Sequence, residues 1–134
     1  MTQVLDSDGV WIGKLDADDA ADVVALIEGV YGSSYPLAWA YDPEAIQSKI
    51  QNGEIVSFVG RDTSGSAIGH VAFMREPQIP FVVHAGAAVV SEAARGHHLF
   101  TRLKAFGSQW AQESGYLGVF SEATAAHPYS RSEE

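Results

Sequence analysis

The residues whose types and spacing best suit chemistry lie where an apolar strand turns into a helix, within residues 87–103. The strand ends in small and branched side chains, Gly96 lies in the turn, and a helical pattern starts at Leu99. A turn of this kind directs several free backbone N–H groups to one point, at the positive end of the helix dipole. Gly96 would let a ligand approach the backbone closely. The segment therefore predicts a phosphate-binding turn.

Two residues elsewhere are candidates for proton transfer. His84 lies on the same face of the predicted strand 81–91 as Val82, because strand side chains alternate. An imidazole has a pKa near working pH and can act as a general base; the alternative is a histidine of the core or of a dimer interface. Glu122 follows the predicted strand 117–121, where its carboxylate could take a proton from an ammonium substrate, or simply be solvated.

Histidines elsewhere predict no metal site. His97 and His98 are adjacent, and neighbouring side chains on a helix point about 100° apart, which suits chelation poorly. His70, on a predicted strand, is most simply structural.

The elements that must position these residues are predicted from periodicity and from start and stop signals. Asp16 is placed at the N-cap of a first helix that ends at Gly32, and Asp42-Pro43 starts a second. The final helix has an apolar stripe of Leu99, Leu103, Phe106 and Trp110. Strands are predicted at 10–15, 54–61, 67–75, 81–91 and 117–121. The order is β-α-α-β-β-β-α-β, an α/β (α+β) fold.

Composition limits the function further. The 134 residues fit a single domain, 1–134. A formal net charge of −9 argues against binding to nucleic acid or to anionic membranes. The chain has no cysteine, which excludes disulfides and a cysteine nucleophile. The start of the chain has no signal-peptide pattern, and no stretch approaches the ~20 apolar residues of a membrane span, so we expect a cytoplasmic protein.

The strand-turn-helix segment resembles motif A of the GCN5-related N-acetyltransferase (GNAT) superfamily, in which a strand leads into an Arg-Gly-x-Gly-Leu-Phe turn. A second stretch, Glu122 to Arg131, is similar to the His-Pro-Tyr-Ser segment that follows the fifth strand in one subgroup. The resemblance implies a mixed, mostly antiparallel sheet flanked by helices, with acetyl-CoA or another acyl-CoA as co-substrate. It implies pantetheine binding by Ala88, Val89 and Val90, and pyrophosphate binding by Arg95, Gly96, His97, His98, Leu99 and Phe100.

The chain departs from the family pattern at several points. His98 stands where the family usually has glycine, and Val82 stands where many members have a glutamate base. The family's last helix and two strands, with the tyrosine that protonates the departing thiolate, have no counterpart before residue 134. We therefore expect a homodimer that completes the fold. Tyr129, or His127, becomes the candidate acid for the CoA thiolate.

The resemblance implies an acyl-CoA-dependent N-acyltransferase acting on an amine of a small molecule or peptide, with His84 or Glu122 as the base. The loop before the second predicted helix contains Tyr35, Trp39 and Tyr41. In the family, the corresponding loop often helps to shape the acceptor site. The alternative is that these three side chains pack between helices. Two other functions stay open. One is a biosynthetic enzyme of isomerase or cyclase type, which uses His84 and Glu122 as an acid–base pair on the same scaffold. The other is a non-catalytic small-molecule-binding module.

Overall fold

The fold is built on one sheet with helices on both of its faces. The structure is a computed structural model that describes residues 4–5, 9–94 and 98–121. The strands are β1 (Val4–Leu5), β2 (Trp11–Lys14), β3 (Ile55–Arg61), β4 (Ala67–Arg75), β5 (Val82–Val90) and β6 (Gly118–Ser121). The helices are α1 (Ala20–Tyr31), α2 (Pro43–Gln51) and α3 (Leu99–Glu113). No helix in these described ranges is long and apolar enough to cross a membrane.

The six strands lie side by side in sequence order, and all neighbours are antiparallel except β5 and β6, which are parallel. The predicted order of strands and helices along the chain is confirmed from β2 to β6. The sequence analysis missed β1, which pairs Val4 with Ile12 and Leu5 with Trp11. Two apolar residues are too short a run to show strand alternation.

The predicted start of α2 agrees with the structure, and the predicted start of α1 is too early. At α2, the Asp42 carboxylate accepts a hydrogen bond of 3.0 Å from the backbone N–H of Glu44, and Pro43 occupies the first helical position, as predicted. Asp16 is followed by a 3-10 turn, Ala17–Asp19, so α1 begins later than expected, at Ala20. Gly32 ends α1 as predicted, but it occupies the C-cap, with φ of 58° and ψ of −124°, a positive-φ conformation that suits glycine.

Two cores lie on opposite faces of the sheet. On one face, α3 packs its predicted stripe onto buried side chains of β3, β4 and β5, including Phe58 and Phe73. On the other face, α1 and α2 enclose a core that includes Ile27, Ile46 and Val59. The two faces therefore hold α3 and the α1–α2 pair in fixed positions around the sheet.

Helix α3 approaches the sheet closely because Gly107 has no side chain. A Cβ added at Gly107 would overlap the ring of Phe73, whereas a Cβ added at Gly29, in α1, would meet no atom within 4 Å. Gly107→Ala and Gly29→Ala gain the same helix propensity, about 1 kcal/mol. Overpacking opposes that gain at Gly107 alone, by about 1–3 kcal/mol.

We expect Gly29→Ala to raise the free energy of unfolding. The free energy of unfolding of Gly107→Ala should be about 1–3 kcal/mol lower than that of Gly29→Ala. Urea denaturation of the two variants measures the difference directly. Equal stabilisation of both would mean that Phe73 moves aside without cost.

Candidate functional site

Strand β5 contains a β-bulge near its centre. Its register with β4 passes from Ala72↔Gly86 to His70↔Val89, so two residues, Ala87 and Ala88, oppose one residue of β4. Ala87 has φ of 50°, in the left-handed region that few non-glycine residues adopt. The bulge also shifts the side-chain alternation of β5 by one residue. Before it, the odd-numbered positions Val83 and Ala85 face the α3 core; after it, Val90 does.

His70 lies beneath the bulge and is completely buried. Its Nδ1 is 2.8 Å from the carbonyl oxygen of Ala87, and its Nε2 is 3.1 Å from Oγ of Ser57. Because a carbonyl only accepts, Nδ1 must bear the proton, and the Ser57 hydroxyl then donates to Nε2. Burial lowers the pKa of His70 to about 4, so the ring is neutral at pH 7. The sequence analysis identified His70 only as a structural residue.

One edge of β5 beyond the bulge is open within the described residues. Strand β6 pairs with β5 only from Val82↔Gly118 to Ala85↔Ser121, so the described strands give residues 86–90 a partner on the β4 side alone. The N–H of Ser91 donates to the carbonyl of Ile68. Since bonded pairs alternate along an antiparallel ladder, the main-chain groups of Val90 point away from β4. An extended ligand with amide groups could pair with this edge as an added strand.

The turn after β5 leads into α3, whose first backbone N–H groups have no partner within the helix. His98 occupies the N-cap of α3 with φ of 55°, also in the left-handed region. Glycine adopts this backbone conformation more readily than other residues. Glycine is also the usual residue at this position in the family whose motif the sequence resembles. Leu99 and Phe100 have buried side chains, so only their main-chain groups could contact a ligand. Arg95, Gly96 and His97 lie outside the described residues.

His84 lies on the face of β5 opposite the α3 core, together with Val82, as strand alternation predicts. It is half-buried and directly opposite Met74 of β4. The other predicted acid–base residues, Glu122, His127 and Tyr129, lie outside the described residues. The structure therefore describes one of the candidate bases.

A cleft of about 660 Å³ opens on the same face as His84. Its lining includes Trp39, Met74, Arg75 and Val82. Met74 shares a sheet face with His84, because directly opposite residues of an antiparallel pair do so. The Met74 methyl group also lies over Gly86, where an added Cβ would overlap it. Met74 thus lines the cleft and also lies against Gly86, the residue before the bulge. The sequence analysis missed Met74 and Arg75, because the cleft forms only when the end of α2 meets the β4–β5 connection.

The aromatic loop before α2 divides between packing and the cleft. The Tyr41 hydroxyl donates to the carbonyl of Gly32 at 2.7 Å and accepts from the N–H of Tyr35 at 2.9 Å, and Tyr35 is buried. Trp39 instead lines the cleft, with Nζ of Lys49 5.4 Å from its ring centre. Packing, one of the two alternatives from the sequence analysis, therefore holds for Tyr35 and Tyr41, whereas a role of this loop in an acceptor site stays a prediction.

In the part of the chain that the structure describes, no three histidine, aspartate or glutamate side chains lie close enough together to bind a metal ion. The Lys49 ammonium is paired with the Glu54 carboxylate at 3.0 Å, and Arg61 with Asp22 at 3.0 Å. The polar groups near the bulge include main-chain amides and the half-buried His84. Such groups suit hydrogen bonding and proton transfer.

No family model matches the sequence, and no curated protein matches it. Solved structures do match the fold. A GNAT family N-acetyltransferase (YhbS) from Escherichia coli in complex with CoA is 24% identical with a TM-score of 0.71, over 97% of this chain and 71% of that one. A ribosomal-protein-alanine N-acetyltransferase from Brucella melitensis is 18% identical with a TM-score of 0.72, over 93% and 87%.

An aminoglycoside acetyltransferase from an uncultured soil metagenomic sample, in complex with trehalose, is 16% identical with a TM-score of 0.75, over 94% of this chain and 85% of that one. Identities this low establish architecture only. The mostly antiparallel sheet, its one parallel pair and the helices on both faces agree with that architecture. The fold of this chain is therefore that of the GNAT acetyltransferases.

Proposed function

We propose that this chain is a GNAT-family acyltransferase that transfers an acetyl or other acyl group from CoA to an amine of a small molecule or peptide. The observation that most supports this is the bulge at Ala87, in a strand whose outer edge has no partner among the described strands and whose end leads to the start of α3. Two sets of main-chain N–H groups therefore follow each other along the chain. Those at the edge of β5 could bind the amides of pantetheine, and those at the start of α3 could bind phosphates.

The acyl-CoA would lie along the open edge of β5. In this proposal Ala88, Val89 and Val90 bind pantetheine, and an N–H beside the bulge polarises the thioester carbonyl. The start of α3, with Arg95, Gly96, His97 and the main chain of His98, Leu99 and Phe100, holds the pyrophosphate. The E. coli structure named above contains CoA, which supports a CoA-type co-substrate here.

The acceptor amine would approach from the cleft that Trp39, Met74 and Val82 line. His84 or Glu122 takes a proton from the ammonium, and the amine nitrogen attacks the thioester carbon. A C–N bond forms, the C–S bond breaks, and its electron pair leaves on the CoA sulfur. Tyr129 then protonates the thiolate, and the resulting tyrosinate takes up the second proton that the nitrogen loses as the amide forms. With no cysteine in the chain, direct transfer is the simplest route, and positioning supplies most of the rate.

The homodimer expected from the sequence stays a prediction. Two exposed apolar side chains support it: Phe81 is 62% exposed and Leu117 is 83% exposed. They are adjacent, because the N–H of Leu117 donates to the carbonyl of Phe81 at 2.7 Å.

Calorimetric titration with acetyl-CoA and with desulfo-CoA tests the proposal. We expect micromolar binding of both ligands by the natural chain, since main-chain donors bind the parts that they share. The variant His98→Gly is the matched comparison, because glycine keeps the left-handed backbone conformation and removes the side chain that would crowd a phosphate at the start of α3. His98→Gly should therefore bind at least as tightly.

Absence of binding at millimolar ligand by both proteins would contradict the proposal and favour a scaffold that no longer uses CoA. In that case His84 and Glu122 would be tested as an acid–base pair. Binding by His98→Gly alone would mean that the histidine closes the phosphate site, which would also exclude acyl transfer by the natural chain.

A further inference from the structure

A line of polar contacts crosses three neighbouring strands beneath the bulge. It runs from the Ser57 hydroxyl of β3, through the His70 ring of β4, to the carbonyl of Ala87 in β5, with distances of 3.1 and 2.8 Å. Ser57 is 1% exposed and His70 is 0% exposed, so the line lies inside the protein. From this geometry we infer that His70 is a positioning residue for acyl transfer, holding the β5 bulge in the shape that presents its main chain to the thioester. The inference rests on the proposed function.

The bulge needs such support for two reasons. Its extra residue takes the carbonyl of Ala87 out of the ladder with β4, and a buried carbonyl without a partner is unfavourable. Ala87 also has φ of 50°, a conformation that a non-glycine residue keeps only when its surroundings impose it. The Nδ1–H of His70 supplies the missing partner and fixes the carbonyl direction of Ala87.

Fixing that carbonyl also fixes the next peptide group. The carbonyl of Ala87 and the N–H of Ala88 belong to one planar unit, so the direction of the first determines the direction of the second. Ala88 is among the residues proposed to bind pantetheine and the thioester. His70 therefore acts on the ligand through the backbone and touches no reacting atom.

Ser57 has the supporting role in this line. Its hydroxyl donates to Nε2, which keeps the proton of the neutral ring on Nδ1, where Ala87 requires it. The two ring nitrogens thus make separable contributions: Nδ1 holds the bulge, and Nε2 fixes the tautomer.

A matched pair of amide variants separates these contributions. The amide nitrogen of His70→Asn can occupy the position of Nδ1 and still donate to Ala87. The amide of His70→Gln reaches instead to the position of Nε2 and keeps the contact with Ser57. Each variant loses one of the two hydrogen bonds, so a merely structural role predicts similar losses of stability and similar behaviour at the bulge.

The readout is the carbonyl stretch of bound acetyl-CoA labelled with ¹³C at the carbonyl, measured by isotope-edited infrared spectroscopy. A thioester that accepts a directed hydrogen bond absorbs at lower frequency than the free ester. We expect this red shift in the natural protein and in His70→Asn, and its loss in His70→Gln. Equal red shifts in both variants, or loss in both, would overturn the inference.

Backbone amide resonances of residues 87–90, recorded without any ligand, give an independent result. We expect them to move in His70→Gln and to stay close to those of the natural protein in His70→Asn. Should acetyl-CoA fail to bind any of the three proteins, the proposed function fails, whereas these resonances still decide whether His70 holds the bulge. Unchanged resonances in His70→Gln would overturn the inference whether or not acetyl-CoA binds.

Discussion

Replacing Phe58 with alanine should lower the free energy of unfolding by about 3–5 kcal/mol. Phe58 is completely buried in β3. Its ring lies 5.5 Å from that of Phe73, 5.7 Å from that of Phe106 and 5.8 Å from that of Trp110, measured between centroids. The first contact is within the sheet, and the other two join the sheet to α3. Truncation would leave a cavity between rigid elements, which adds a cavity cost to the lost burial.

Ile79→Ala is the control, because it truncates a large apolar side chain that is 49% exposed and is not one of the two side chains proposed for the dimer contact. Its effect should stay within about 0.5 kcal/mol. Urea denaturation followed by tryptophan fluorescence measures both variants. Comparable losses in the two would show that the Phe58 cluster is not the principal core between β3 and α3.

Acidification from pH 6.5 to pH 4 should remove about 3 kcal/mol of folding stability through His70 alone. Burial lowers the pKa of His70 from 6.5 to about 4 in the folded protein. The unfolded chain therefore takes up a proton first as the pH falls. The contribution is fully present above pH 6.5 and is progressively lost down to pH 4. Below pH 4 both states bind the proton and the loss stops growing.

The variant His70→Asn isolates this effect, since asparagine does not titrate. Two carboxyl groups also have lowered pKa values: a hydrogen bond from Lys49 lowers that of Glu54, and a hydrogen bond from Ser64 lowers that of Asp62. Protonation of these groups in acid also lowers the stability of the folded protein. Both proteins share these groups, so the difference between their unfolding free energies at each pH reports His70. Parallel curves across this range would contradict the burial of a neutral His70.

The order of elements could be predicted because its signals are local. Asp42 and Pro43 give a helix start by their own side-chain chemistry, and the prediction holds in the structure. The stripe from Leu99 to Trp110 predicts the face that α3 buries, because helical periodicity fixes which residues share a side. Strand β1 could not be predicted in the same way, since its two residues form a strand only by pairing with β2.

The sequence by itself determined the phosphate-binding turn as a candidate, the face on which His84 lies and the absence of a cysteine nucleophile. Only the tertiary structure decided that Ala87 forms a bulge, that His70 lies beneath it, and that Met74 and Arg75 line a cleft. A bulge depends on the register between two strands, and a cleft depends on how separate elements pack. Ser57, His70 and Ala87 are distant in sequence, and their hydrogen bonds exist because β3, β4 and β5 are neighbours in the sheet.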